Sequence, residues 1–97
     1  MAKIYFNNVE FEVLTFNRNT SFNGTDVVSN GYCTIRSSAT NVETLHGLID
    51  DPLTSLIIKN SDNEVIYDAG TIDAQFASID ETLNNEAITL SINMIFK

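Results

Sequence analysis

The sequence predicts a mainly β fold: an antiparallel β-sandwich or open barrel of about six to seven strands, with one short flanking α-helix over about 41–50. Three observations carry this. Residues 87–96 alternate without a break, with Ile88, Leu90, Ile92, Met94 and Phe96 on one face and Thr89, Ser91 and Asn93 on the other. Residues 3–12 read as a hairpin about Asn7-Asn8. Only one segment, Thr40-Asn41-Val42-Glu43, offers a capping box ahead of helically spaced apolar residues.

The first hairpin can be put in register. A two-residue loop at Asn7-Asn8 pairs Phe6 with Val9, Tyr5 with Glu10, Ile4 with Phe11 and Lys3 with Glu12. Ile4, Phe6, Val9, Phe11 and Val13 then share one face, and asparagine tolerates the left-handed backbone that such a turn needs. Past Val13 the alternation slips, because Leu14 and Phe16 fall on the face of Glu10 and Glu12. This predicts a bulge, a twist or a crossing between layers, with Leu14 and Phe16 either packed under the next segment or part of a contact surface. Residues 17–31 turn to Asn, Ser, Thr, Gly and Asp, broken only by Phe22 and Val27-Val28. They predict a long polar loop or a loose hairpin, and segments of that kind often carry contacts. Phe22 would be its apolar anchor.

Residues 32–38 read as a short strand. The helix that follows places Val42, Leu45, Leu48 and Ile49 on one stripe and must stop before Pro52, with Gly47, Asp50 and Asp51 weakening its end. Residues 53–59 and 64–69 form a second hairpin whose loop, 60–63, opposes Lys59 to Glu64, Ile58 to Val65 and Leu56 to Tyr67. Adjacent apolar pairs Ile57-Ile58 and Val65-Ile66 predict that this hairpin is covered on both faces, at the centre of the core. Residues 71–79 read as a strand with Ile72, Ala74 and Phe76 inward, or else as a helix, and 80–85 as a polar turn before the last strand.

The chain has 97 residues, the size of one domain, so 1–97 is expected to fold as a single unit whose modest core leaves room for stabilisation by neighbouring copies. Thirteen acidic residues against five basic ones give a formal charge of -8, which disfavours direct binding to nucleic acid or to anionic membranes. The basic residues Lys3, Arg18, Arg36, Lys59 and Lys97 form no run. A single cysteine, Cys33, excludes an intramolecular disulfide and reads as a packing residue. The N-terminal apolar stretch turns polar at Asn7, too soon for a secretory signal, so cytoplasmic synthesis is the expectation. The triplets at Asn19 and Asn23 then read as chance in an Asn-rich segment.

No motif for chemistry emerges. Asp50-Asp51 and Asp62-Asn63-Glu64 offer hard oxygens without the alternating spacing of a calcium loop. His46 stands at helical spacing from Glu43 and Asp50, with no second histidine for a metal and no nucleophile. Asp80-Glu81 lacks the apolar surroundings that split the pKa values of paired carboxylates, and four glycines cannot build a phosphate cradle. The reading is therefore a non-enzyme with no catalytic, metal or cofactor residues. Its contact candidates are Leu14, Phe16, Phe22, Val27 and Val28, together with the polar outer side of the last strand, Thr89, Ser91, Asn93 and Ile95.

The segments Lys3-Ile4-Tyr5-Phe6-Asn7-Asn8-Val9-Glu10-Phe11, Leu53-Thr54-Ser55-Leu56-Ile57-Ile58 and Ile88-Thr89-Leu90-Ser91-Ile92, in this order of elements, give the chain a pattern that resembles small virion structural proteins of tailed bacteriophages, of the tail-tube, connector or baseplate type. The resemblance implies a β-sandwich or open barrel with a flanking helix, homo-oligomeric rings or contacts with other virion proteins, and residence in the virion after assembly in the host cytoplasm. An acidic inner wall would let DNA slide. The competing reading is a small acidic inhibitor that covers a basic site on a host protein.

Overall fold

The structure, a computed structural model, describes residues 1–37, 39–49, 51–84 and 87–96. The elements in chain order are β1 (Lys3–Phe6), β2 (Val9–Phe22), β3 (Val27–Ser37), α1 (Ala39–Gly47), β4 (Leu56–Lys59), β5 (Val65–Asp68), β6 (Ala74–Asn84) and β7 (Ala87–Phe96). All seven strands belong to one antiparallel sheet of order β5-β4-β1-β2-β3-β7-β6. A sandwich is therefore replaced by a single sheet that curls like an open barrel. The curl is stitched where the segment before β4 meets the start of β6. Leu53 N–H donates to the Ala74 carbonyl at 2.7 Å, Ala74 N–H returns the bond at 3.0 Å, and Ile72 N–H donates to the Thr54 carbonyl at 3.1 Å.

The inward faces fill the space this curl encloses. Ile4, Phe6, Phe11, Cys33, Ile35, Leu53, Leu56, Phe76, Leu90, Ile92 and Met94 are all buried. Phe6 and Phe76, from strands far apart in the sheet, meet edge to face with ring centroids 5.2 Å apart, a favoured aromatic geometry. The helix buries Leu45 completely, with Val42, Leu48 and Ile49 partly buried beside it, which anchors an otherwise weak helix to the sheet.

The first hairpin has the predicted register, Lys3↔Glu12, Ile4↔Phe11, Tyr5↔Glu10 and Phe6↔Val9. Asn7 and Asn8 both take positive φ, 50° and 71°, the requirement of a type I′ turn. The slip past Val13 is a β-bulge between Val13 and Thr15.

Several expectations are corrected. Of the two alternatives for residues 17–31 the hairpin holds and the long loop does not: β2 runs to Phe22 and β3 starts at Val27, paired throughout, with only a tight turn over 23–26. Asn23 builds that turn by accepting the Thr25 and Asp26 N–H groups on Oδ1. The polar composition there reflects an outer face in water and an inner face that carries Arg18, Thr20, Ser29 and Gly31 instead of apolar side chains. The second hairpin pairs Ile57 with Asp68, Ile58 with Tyr67 and Lys59 with Val65, shifted from the predicted register. Asn60 causes the shift by closing the loop onto Glu64, through Asn60 N–H to the Glu64 carbonyl at 2.9 Å and Glu64 N–H to Asn60 Oδ1 at 3.0 Å, with Asn63 at φ 65°. Nor is that hairpin the centre of the core. β5 is an edge strand with Val65 and Ile66 exposed, and only β4 contributes buried residues, Leu56 and Ile58.

Residues 80–84 are strand rather than turn, because β7 offers a partner along its whole length, with Asp80↔Ser91 and Glu81↔Leu90; Asn85 lies outside the described residues. The strand alternative for 71–79 holds from Ala74 onward, and Ile72 precedes it, partly buried. The helix spans Ala39–Gly47, so Thr40 lies inside it instead of capping its start; Ser38 and Asp50 lie outside the described residues.

Candidate functional site

The most unusual local feature is the far half of the β2–β3 hairpin. β7 reaches only to Phe96 opposite Ser29, while β2 and β3 continue to the Phe22↔Val27 pair. The last rungs form a two-stranded arm beyond the end of β7. Strand periodicity puts Phe16, Arg18, Thr20 and Phe22 on the inner face, opposite Cys33, Gly31, Ser29 and Val27. Inside the barrel that face is core. On the arm none of the described residues covers it, and Phe22 and Val27 are each 69% exposed. Val28, on the outer face, is 37% exposed.

The root of the arm is locked by Arg18. Its Nε donates to Ser29 Oγ at 2.8 Å, its Nη1 donates to the Tyr67 hydroxyl at 3.1 Å, and its guanidinium lies 4.0 Å above the Phe96 ring. Gly31 stands opposite Arg18, and a Cβ there would lie 2.8 Å from Phe96 Cε2, so glycine makes the room in which Phe96 lies as a platform. Ser29 is buried and also shares a hydrogen bond with Thr20 Oγ1 at 3.0 Å. Tyr67 further packs on Phe16, with centroids 5.2 Å apart.

Next to this root an apolar cleft of about 280 Å³ opens, lined by Ala2, Val13, Leu14, Phe16, Ile66 and Tyr67 among others. It exists because β2 continues past the start of the short β1, and the bulge turns Leu14 toward it.

The outer face of β7 is a separate place. Thr89 and Ser91 are half-buried, Asn93 donates to Ser78 Oγ at 3.1 Å, and Ile95 is exposed. Tyr32 of β3, opposite Asn93, is exposed too, and hydrogen bonds with Ser91 and then Thr34 hold its phenol below the usual tyrosine range. The predicted contact residues thus fall into three groups: Leu14 and Phe16 at the cleft, Phe22 and Val27 on the inner face of the arm, and Val28 with Thr89, Ser91, Asn93 and Ile95 on the outer face of the sheet. Sequence reasoning missed Arg18, Tyr67, Ile66 and Tyr32. A signal existed for Arg18, since period-two counting from Phe16 to Phe22 places it on the apolar side.

The groups with potential chemistry are dispersed. Cys33 is fully buried, and desolvation pushes its thiol up to about 12. His46 is exposed on α1 and meets the Glu81 carboxylate. Asp80 and Glu81 point to opposite faces of β6. Tyr5 donates to Glu10 Oε1 at 2.9 Å and Lys3 reaches Glu10 Oε2 at 3.3 Å. These contacts hold the Glu10 carboxyl below its usual range, and the bond to Glu10 raises Tyr5. Folding does bring two basic residues together, Lys3 and Lys59 being opposed across β1 and β4. Among the described residues no group of three or more His, Cys, Asp or Glu side chains is placed to hold a metal ion, and no helix is long and apolar enough to cross a membrane. Set against family models, curated proteins and solved structures, the chain has no match.

Proposed function

We propose that this chain is a non-enzymatic assembly subunit, a component of a bacteriophage tail or virion that works by homo-oligomeric ring or partner assembly. The observation that supports this best is the projecting arm with its uncovered Phe22–Val27 pair. A monomer gains nothing from large apolar side chains held in water. A neighbour that buried both would gain roughly 1.5 to 3 kcal/mol for each fully covered side chain. The arm is already ordered by its ladder, its Asn23 turn and its Arg18 root, so docking costs little further conformational entropy.

The carboxylates support assembly over the alternative of an acidic inhibitor. Glu10, Glu12, Asp26, Glu43, Asp62, Glu64, Asp68, Asp80 and Glu81 are exposed on β2, the arm turn, α1, the β4–β5 loop, β5 and β6. An inhibitor that mimics phosphates would gather them on one surface. Light scattering coupled to size exclusion over a hundredfold concentration range tests the proposal. An average mass rising with concentration, or a fixed oligomer, is expected; a strict monomer of 10.8 kDa that also captures no virion protein would overturn it.

A further inference from the structure

We propose that the inner face of the arm docks a carboxylate of a second copy of this chain on Arg18, beside the Phe22–Val27 pair. This rests on the reading of the chain as a self-assembling subunit and adds the chemistry of the contact.

Arg18 is half-buried and, among the described residues, has no carboxylate partner, although the chain carries thirteen acidic residues against five basic ones. A partly desolvated cation usually finds an anion. Here the neighbours are hydroxyls and rings instead: Ser29, Tyr67 and Phe96.

The guanidinium is also pre-organised. The bond from Nε to Ser29 and the bond from Nη1 to Tyr67 fix the plane of the guanidinium, and the Phe96 ring covers one face. Of the five donors of an arginine, the Nη2 pair and the second Nη1 hydrogen have no partner among the described residues, and Nη1 with Nη2 is an edge that takes a carboxylate bidentately. A side chain held this way needs no reordering when the anion arrives.

Arg18, Thr20 and Phe22 follow one another on the same face, so the surface asks for an anion next to an apolar group. A chain of charge -8 that associates with itself brings like charges together, and a contact that seats a carboxylate on an arginine offsets that repulsion. A second copy presents exposed carboxylates on β2, α1, β5 and β6 and in the turns at 26, 62 and 64.

The test is self-association of the full chain, measured by sedimentation velocity over a concentration series at 50 and 500 mM NaCl, for wild type, Arg18→Met, Arg18→Lys and Phe22→Ser. Arg18→Met keeps the stem over Phe96 and removes the charge. It is expected to weaken association by about tenfold or more at 50 mM and by less at 500 mM, where salt screens both the ion pair and the repulsion between acidic copies. Phe22→Ser should weaken association and keep the salt dependence. Arg18→Lys should fall between, since it retains the charge and loses the fork. If Arg18→Met fails to fold, Arg18→Lys decides: association equal to wild type overturns the proposal. A wild type that assembles while Arg18→Met matches it at both salt concentrations overturns this contact alone; a wild type that stays monomeric throughout overturns the assembly reading with it.

Discussion

Asn7 and Asn8 occupy the same turn and take the same left-handed backbone, yet replacing each by glycine should shift stability in opposite directions. Asn8 is exposed and its side chain makes no hydrogen bond among the described residues, so Asn8→Gly relieves the positive-φ cost and yields the Asn-Gly pair that type I′ turns favour. A gain of about 0.5 to 1 kcal/mol is expected. Asn7 ties the turn to the segment before β4. Its Nδ2 donates to the Pro52 carbonyl at 3.1 Å, and its Oδ1 accepts from Thr54 N–H at 2.8 Å, Thr54 Oγ1 at 3.2 Å and Ser55 N–H at 3.2 Å. One oxygen shares its two lone pairs among three donors, so these bonds together contribute about 2 kcal/mol, partly in water. Glycine returns about 0.5 to 1 kcal/mol of backbone strain, which leaves Asn7→Gly destabilised by about 1 to 1.5 kcal/mol. On the scale of about 4 to 8 °C per kcal/mol for a domain of this size, the two Tm values should move apart by roughly 10 °C. Thermal melts by circular dichroism with urea titrations measure both. Asn7→Gly melting at or above wild type would refute the role given to its side chain.

Gly31→Ala drives a Cβ to 2.8 Å from Phe96 Cε2 and 3.3 Å from Met94 Cε, so overpacking should cost about 1 to 3 kcal/mol; in urea titrations Phe96→Leu should recover part of it, and fully additive losses would contradict the contact. The Cys33 thiol rises from 9.0 to about 12 in the fold. Its contribution is therefore fully present well below pH 9 and is lost progressively as the pH rises from 9 toward 12. Between pH 9 and 10 wild type should lose roughly 1 kcal/mol more than Cys33→Ala, and equal losses would refute the burial of the thiol. At neutral pH a thiol reagent should label the native protein only as fast as it unfolds. Phe22→Ser should leave the Tm of the isolated subunit within about 2 °C of wild type, because exposed positions carry little stability; a large drop would show the arm folded back onto the core.

The parts of the fold legible in the sequence were those where turn chemistry and alternation agree. Asn7-Asn8 fixed one register, and Ile88 to Phe96 fixed one strand, since a residue-by-residue slip would turn every apolar side chain outward. The 17–31 segment misled because its inner face carries Arg18, Thr20, Ser29 and Gly31, so the apolar alternation that marks a strand is missing until Phe22. Val65-Ile66 misled in the opposite sense, as apolar residues on an exposed edge strand look like core. For the candidate site, Phe22 was visible as a lone large apolar residue among polar ones. The Arg18 cluster was not, because Tyr67 and Phe96 lie far from it in sequence and are gathered only by the curl of the sheet.

The account centres on the arm as an assembly element, and its most direct test is the sedimentation-equilibrium mass of wild type beside Phe22→Ser/Val27→Ser at equal high concentration. The prediction is a mass for wild type that is a multiple of 10.8 kDa and a shift toward one subunit when both residues are polar. Identical masses for the two proteins would contradict it.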